Sequence, residues 1–118
     1  MRILVVEDNM AVASMIISAL EQAGYGIAGH GRSVDQSLKL VAECNFDVAI
    51  LDVDLMGLNS GPVAEELKNR NLPFLVITGA AHLRLPAHHE APVVLKPFRI
   101  DDLVKAVSDM KVRHRSIA

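Results

Sequence analysis

Apolar residues are distributed along this chain in two rhythms. Ile3 to Val6, Val48 to Leu51, Phe74 to Ile77 and Val93 to Leu95 are short unbroken aliphatic runs. Runs without polar alternation predict strands buried on both faces, as in a parallel sheet covered by helices. Gly26 to His30 is a weaker run that suits a sheet edge. Between the runs the spacing changes to three and four: Val12, Met15, Ile16, Ala19, Leu20 and Ala23 share one helical face, which ends at Gly24. Ser33 is placed as the N-cap of a second helix bearing Val34, Leu38, Val41 and Ala42. Ser60 precedes Pro62, Val63, Ala64 and Leu67 of a third. Ile100, Leu103, Val104, Val107 and Met110 form the last helix, with Asp101 and Asp102 in its first turn, where the helix dipole favours negative charge.

Strands alternating with helices predict an α/β fold, a doubly wound five-stranded parallel sheet with helices on both faces. The alternation breaks once. Twelve residues, Gly79 to Glu90, separate the fourth and fifth strands, and Pro86 lies among them. Three helical turns and two loops do not fit that length, and proline interrupts a helix. The fourth helix is therefore expected to be short or absent.

A length of 118 residues suits one domain, residues 1–118, without an output domain. With 51% hydrophobic and 22% charged residues the composition is that of a globular protein rather than a disordered one. A net charge of -2 exerts no broad pull on nucleic acid, and the basic run Lys111 to Arg115 reads as a solvated helix end. Cys44 is the only cysteine, so no intramolecular disulfide forms, and a small buried side chain accounts for it. Only four apolar residues separate Met1-Arg2 from Glu7-Asp8. They make neither a signal-peptide core nor a membrane span, and a cytoplasmic location is expected.

In a doubly wound sheet the ligand crevice lies beyond the carboxyl ends of the strands. There the sequence places Glu7 and Asp8 after the first strand, Asp52 at the third, Thr78 and Gly79 after the fourth, and Lys96 after the fifth. Singly these are ordinary: an acid caps a helix, a threonine starts a turn, a lysine is solvated. Together, three carboxylates and a lysine at one edge need something to balance them. Mg²⁺ meets that need, since it favours carboxylate, carbonyl and water oxygens. Phosphoryl transfer requires an in-line nucleophile and positive charge around the moving group. Asp52 supplies the nucleophile; Asp8, Asp52 and, through a water, Glu7 hold the ion. Lys96, the Thr78 hydroxyl and the Gly79 N–H face the phosphoryl oxygens.

Glu7-Asp8, Asp52, Thr78 and Lys96-Pro97-Phe98, in this order on these elements, resemble the receiver domain of bacterial two-component response regulators. The resemblance covers essentially the whole chain and implies a flavodoxin-like strand order of 2-1-3-4-5, phosphorylation of Asp52, and Mg²⁺ dependence. It also implies a cis peptide between Lys96 and Pro97 and a metal ligand in the backbone carbonyl of Asp54. The implied donor is a sensor histidine kinase or histidine phosphotransfer protein. The implied output is a changed contact with a downstream protein target, or a phosphate sink, with no nucleic acid or membrane involved. Such a switch is no enzyme beyond its own phosphorylation and dephosphorylation. Within the family the chain is similar to stand-alone receivers with Leu-Asp-Val-Asp-Leu around the phosphoacceptor.

Two positions depart from the family. Val93 occupies the place of an aromatic residue whose ring moves with the threonine, so signalling is expected to run through the loops after Asp52 and Thr78 or through a partner reading the site directly. Asp54 adds an acid beside the path of the attacking water. The dimer face that receivers build around their fourth helix is incomplete, so a monomer or an atypical dimer is expected. His82, His88, His89 and Glu90 lack the spacing to aim at one transition metal and suit a pH-sensitive or partner-contact loop. No role follows for His30. Two rivals stand beside the phosphorylated switch. Asp52-Val53-Asp54, followed by Thr78, Lys96 and Asp101-Asp102, imitates a haloacid dehalogenase-like phosphohydrolase, although Glu7-Asp8 goes unexplained there. A non-phosphorylated interaction module is the other.

Overall fold

The computed structural model describes residues 1–79, 88 and 91–117, of which 111–117 by backbone alone. Its main sheet consists of β1 (Arg2–Val6), β2 (Gly26–Gly31), β3 (Val48–Asp52), β6 (Phe74–Thr78) and β7 (Val93–Leu95), and a separate hairpin joins β4 (Asp54–Leu55) to β5 (Leu58–Asn59). The order β2-β1-β3-β6-β7, with every pair parallel, is the 2-1-3-4-5 order of the five main strands. The helices are α1 (Met10–Gln22), α2 (Val34–Glu43), α3 (Gly61–Asn69) and α4 (Ile100–Ile117). The expected loss of a helix between Gly79 and Glu90 concerns residues that, apart from Gly79 and His88, lie outside those described.

The unbroken aliphatic runs form the central strands because each residue meets a covering layer. Leu4, Val6, Ala49, Leu51 and Val76 face Val41, Val63, Ala64 and Leu67 of α2 and α3. Their neighbours Ile3, Val5, Val48, Ile50, Leu75 and Ile77 face Ile16 and Leu20 of α1 and Leu103, Val107 and Met110 of α4. Burying each valine, leucine, isoleucine or methionine among them contributes about 1.5–3 kcal/mol, and a central truncation such as Ile50→Ala costs roughly 2–5 kcal/mol. β2, weaker in sequence, is an edge strand and only half-buried.

Helix ends follow local chemistry. Ser33 caps α2 by accepting from Gln36 N–H at 3.1 Å, and Asn9 does the same for α1 toward Val12. α1 stops at Ala23. Gly24 then takes φ +94, free of Cβ strain, and the Gly24 and Tyr25 amides turn back to Glu21 and Leu20. α3 ends in the same way on Asn71, at φ 57. Ser60 stands at the N-cap position of α3, yet its hydroxyl makes no capping bond. Cys44 is the C-cap residue of α2, partly buried against the core. The Lys96–Pro97 peptide is cis.

Candidate functional site

The carboxyl ends of β1, β3, β6 and β7 open into one cleft of about 450 Å³, lined by Glu7, Asp8, Asn9, Asp52, Val53, Asp54, Thr78, Gly79 and Lys96. Every residue assigned to the site from the sequence is in that lining. Parallel strands bring this about, since each chain reversal from strand to helix occurs at the same edge.

Lys96 is the hub of the cleft. Its Nζ donates to Asp52 Oδ2 at 2.8 Å and to Glu7 Oε2 at 3.1 Å. Glu7 is wholly buried and Asp52 nearly so. Burial, with the hydrogen bond and charge of Asp52, raises the Glu7 pKa to about 7, against the opposing pull of the Asn9 N–H and Lys96. For Lys96, burial acts to lower the pKa, and the hydrogen bonds and charges of Asp52 and Glu7 prevail and raise it. One cation thus serves two buried carboxylates.

The third acid is held from the side. Asp8 Oδ2 accepts from the Met56 N–H at 2.8 Å, at the turn of the β4–β5 hairpin, where Met56 (φ 53) and Gly57 (φ 83) both have positive φ. Asp54 begins that hairpin with its side chain exposed, and its N–H donates to Asp52 Oδ1 at 3.3 Å. Glu7, Asp8 and Asp52 each present a carboxylate oxygen, all within 4.8 Å of one another. An all-oxygen donor set of this compactness fits a hard divalent cation, whose charge would offset both the burial of Glu7 and the neighbouring Asp52 carboxylate, the causes that raise the Glu7 pKa. Thr78 is buried and Gly79 exposed, side by side on the cleft wall.

Four residues at or near the site carry contacts that the sequence did not reveal. Asn9 N–H donates to Glu7 Oε1, and His30 Nε2 lies 2.8 Å from the Glu7 carbonyl. Ser60 and His88 are fully buried and hydrogen-bonded to each other at 3.1 Å. His88 therefore belongs to the packed interior and not to a partner-contact surface, while His82, His89 and Glu90, read with it in a pH-sensitive or partner-contact loop, lie outside the described residues. The doublet Asn59-Ser60 held a usable signal, since two adjacent cap-forming residues leave one spare. The rival phosphohydrolase loses its last part: Asp101 and Asp102 occupy the first turn of α4 and do not line the cleft.

Comparison with known proteins agrees with this geometry. Residues 3–108 match the family model described as the response regulator receiver domain. The chain is 29% identical to the response regulator receiver protein CpdR of Brucella abortus, covering 94% of this chain and 97% of that protein. The solution structure of SdrG from Sphingomonas melonis Fr1 is 36% identical, with a TM-score of 0.79 over 91% of this chain and 92% of that one. TrrA from Thermotoga maritima, solved in complex with Mg²⁺ and beryllium fluoride, is 28% identical, with a TM-score of 0.80 over 92% of this chain and 96% of that one. Two further curated relatives are longer, and the chain spans 46% and 49% of them.

Proposed function

The chain belongs to the response regulator receiver domain family, and on that premise we propose that Asp52 is its phosphoacceptor and that Glu7, Asp8 and Asp52 hold Mg²⁺. As a receiver it is a phospho-accepting switch of a two-component regulatory system, altering only its own phosphorylation state. The observation that carries the assignment is Lys96 Nζ at 2.8 Å from Asp52 Oδ2, a cation held against the carboxylate that receives the group.

An Asp52 oxygen attacks the phosphorus of a phosphohistidine on a sensor histidine kinase or histidine phosphotransfer protein. The new P–O bond forms as the P–N bond breaks, and the electron pair leaves with the donor imidazole. Lys96, the Thr78 hydroxyl and the Gly79 N–H then face the phosphoryl oxygens. When bound, Mg²⁺ supplies further positive charge to those oxygens, with the Asp54 backbone carbonyl completing its protein ligands. Glu7 would face the ion as a carboxylate. The exposed Asp54 carboxylate borders the route of the water that later hydrolyses the acyl phosphate. Support for the metal comes from TrrA, solved with Mg²⁺ and beryllium fluoride; SdrG was solved also in a beryllium-fluoride-activated conformation.

Residues 1–118 act as one receiver unit whose output is an altered contact with a downstream protein, or the draining of phosphate from its donor. Val93 is half-buried on β7 in place of the aromatic switch residue, so the signal leaves through the loops after Asp52 and Thr78 or through a partner that reads the site directly. Among the described residues no helix is long and apolar enough to cross a membrane, and a cytoplasmic, monomeric protein or an atypical dimer is the reading we adopt. Incubation with phosphoramidate or acetyl phosphate and Mg²⁺, followed by intact mass spectrometry, tests the assignment. Wild type gains one phosphoryl group and Asp52→Asn none. A wild type that never gains that mass removes the assignment and leaves the non-phosphorylated interaction module.

A further inference from the structure

Asn59 and Ser60 stand together before α3, and only Asn59 performs the work of a cap, its Oδ1 accepting from the Gly61 N–H at 2.8 Å. The Ser60 hydroxyl turns inward, to the backbone carbonyl of Asp52 and to His88 Nε2 at 3.1 Å. Ser60 and His88 are 0% exposed and Asp52 only 5%. A polar link closed off from water has its geometry set by the protein alone.

Counting protons gives the link a direction. A hydroxyl owns one proton and a carbonyl only accepts, so Ser60 donates to Asp52 and accepts from His88. His88 Nε2 must therefore carry a hydrogen, whatever the state of its other nitrogen. Ser60 is held further by its own N–H, which donates to the Val53 carbonyl at 2.7 Å, while the Val53 N–H donates to Ile77 at 3.2 Å. The His88 carbonyl accepts from Ala91 N–H at 3.2 Å, just before the strand that leads to Lys96.

We propose that Ser60 and His88 are positioning residues for the phosphoacceptor: the link from His88 Nε2–H through Ser60 Oγ–H to the Asp52 carbonyl fixes the peptide from which the Asp52 carboxylate is aimed. The same link ties the Asp52 turn to the segment entering β7, so the nucleophile and its counter-charge share one anchor. This rests on the reading of Asp52 as phosphoacceptor. Neither residue touches the phosphoryl group. Their effect is on aim, and small misplacements of a nucleophile reduce rates steeply.

Long-range ¹H–¹⁵N correlation spectra of the wild-type imidazoles read the proton on His88 directly. A protonated Nε2 is expected, and an unprotonated one overturns the link. Phosphoryl uptake from phosphoramidate with Mg²⁺, timed by intact mass, then separates aim from packing. Ser60→Ala and His88→Leu slow uptake by about tenfold. His88→Gln presents an amide N–H near the place of Nε2 and stays within about twofold of wild type. His88→Leu as fast as wild type, or His88→Gln as slow as His88→Leu, overturns the proposal. Should His88→Leu fail to fold, the wild-type tautomer and His88→Gln still decide it. A wild type that takes up no phosphoryl group removes the receiver assignment instead, while the tautomer continues to test the link.

Discussion

The two ends of the sheet treat charge in opposite ways. At the amino end Asp47 is exposed and accepts from the Arg2 N–H, and Arg70 pairs with Glu66 at 2.7 Å with side chains 43% and 37% exposed. Water solvates those groups whether or not they pair, and such contacts are worth about 0–1 kcal/mol. At the carboxyl end Glu7 and Asp52, with side chains 0% and 7% exposed, share the single ammonium of Lys96. There the same residue types depend on one another, and burial drives Glu7 toward its neutral form. Charge retained against such desolvation marks chemistry, whereas charge that water carries serves solubility.

Removing a cation from each end should expose the difference most sharply. Lys96→Ala withdraws the one positive group that contacts Asp52 and Glu7 among the described residues, and phosphoryl uptake should fall about a thousandfold, some 4 kcal/mol of barrier. Timed intact mass spectrometry checks it; uptake within tenfold of wild type would put the counter-charge elsewhere. Arg70→Ala should leave uptake unchanged.

Next in size is the pH dependence of stability. The Glu7 pKa is raised from 4.5 to about 7, so through that interval the folded chain binds more protons than the unfolded one. Glu7 is therefore least costly below pH 4.5. Metal-free stability falls as pH rises and levels off above about pH 7, a loss of roughly 3 kcal/mol on this residue's account. Urea unfolding in chelator at pH 5 and pH 8 should show that loss in wild type, and Glu7→Gln should abolish most of it. Equal slopes in the two proteins would mean that the buried end is better solvated than its geometry indicates.

A divalent cation should reverse part of this. At Mg²⁺ concentrations ten times its dissociation constant the fold gains about 1.4 kcal/mol. Because ligands bind metal deprotonated, the gain at one fixed Mg²⁺ concentration should be larger at pH 8 than at pH 6. Thermal melts across a Mg²⁺ titration measure it. Asp8→Asn, which removes one of the three clustered carboxylates, should erase the shift; a shift surviving in that variant would locate the ion away from the cleft.

The costly end was also the more legible in sequence. Unbroken runs fixed the strands, and parallel strands send their following residues to one edge, so Glu7, Asp8, Asp52, Thr78, Gly79 and Lys96 could be grouped before any contact was known. The β4–β5 hairpin left no period to read, since its strands have two residues each and its turn puts Met56 at a φ of 53, an unusual place for a methionine. Ser60 precedes α3 as its position in the sequence implies, but its side chain could not be read from that position, because a cap is a local preference that a buried carbonyl and imidazole override. His88 was unreadable for the same reason. Its partner lies 28 residues away, and nothing in its own neighbourhood, His89 and Glu90, distinguishes a packed histidine from a solvated one.

The smallest expected effect is at the amino end, and its smallness is the point. Arg70 and Glu66 are spaced four apart on the end of α3, with both side chains more than a third exposed. Such a pair on a helix surface contributes about 0.3–0.5 kcal/mol and fades as salt screens it. Arg70→Ala should therefore lower stability by at most about 0.5 kcal/mol in low salt and by less in 0.5 M NaCl, as read by urea unfolding. At 2.7 Å this contact is no longer than the 2.8 Å between Lys96 and Asp52, so distance does not distinguish the two ends. A loss of 2 kcal/mol or more would show the amino end to be as dry as the cleft, and solvent exposure would cease to explain why one lysine matters and one arginine does not.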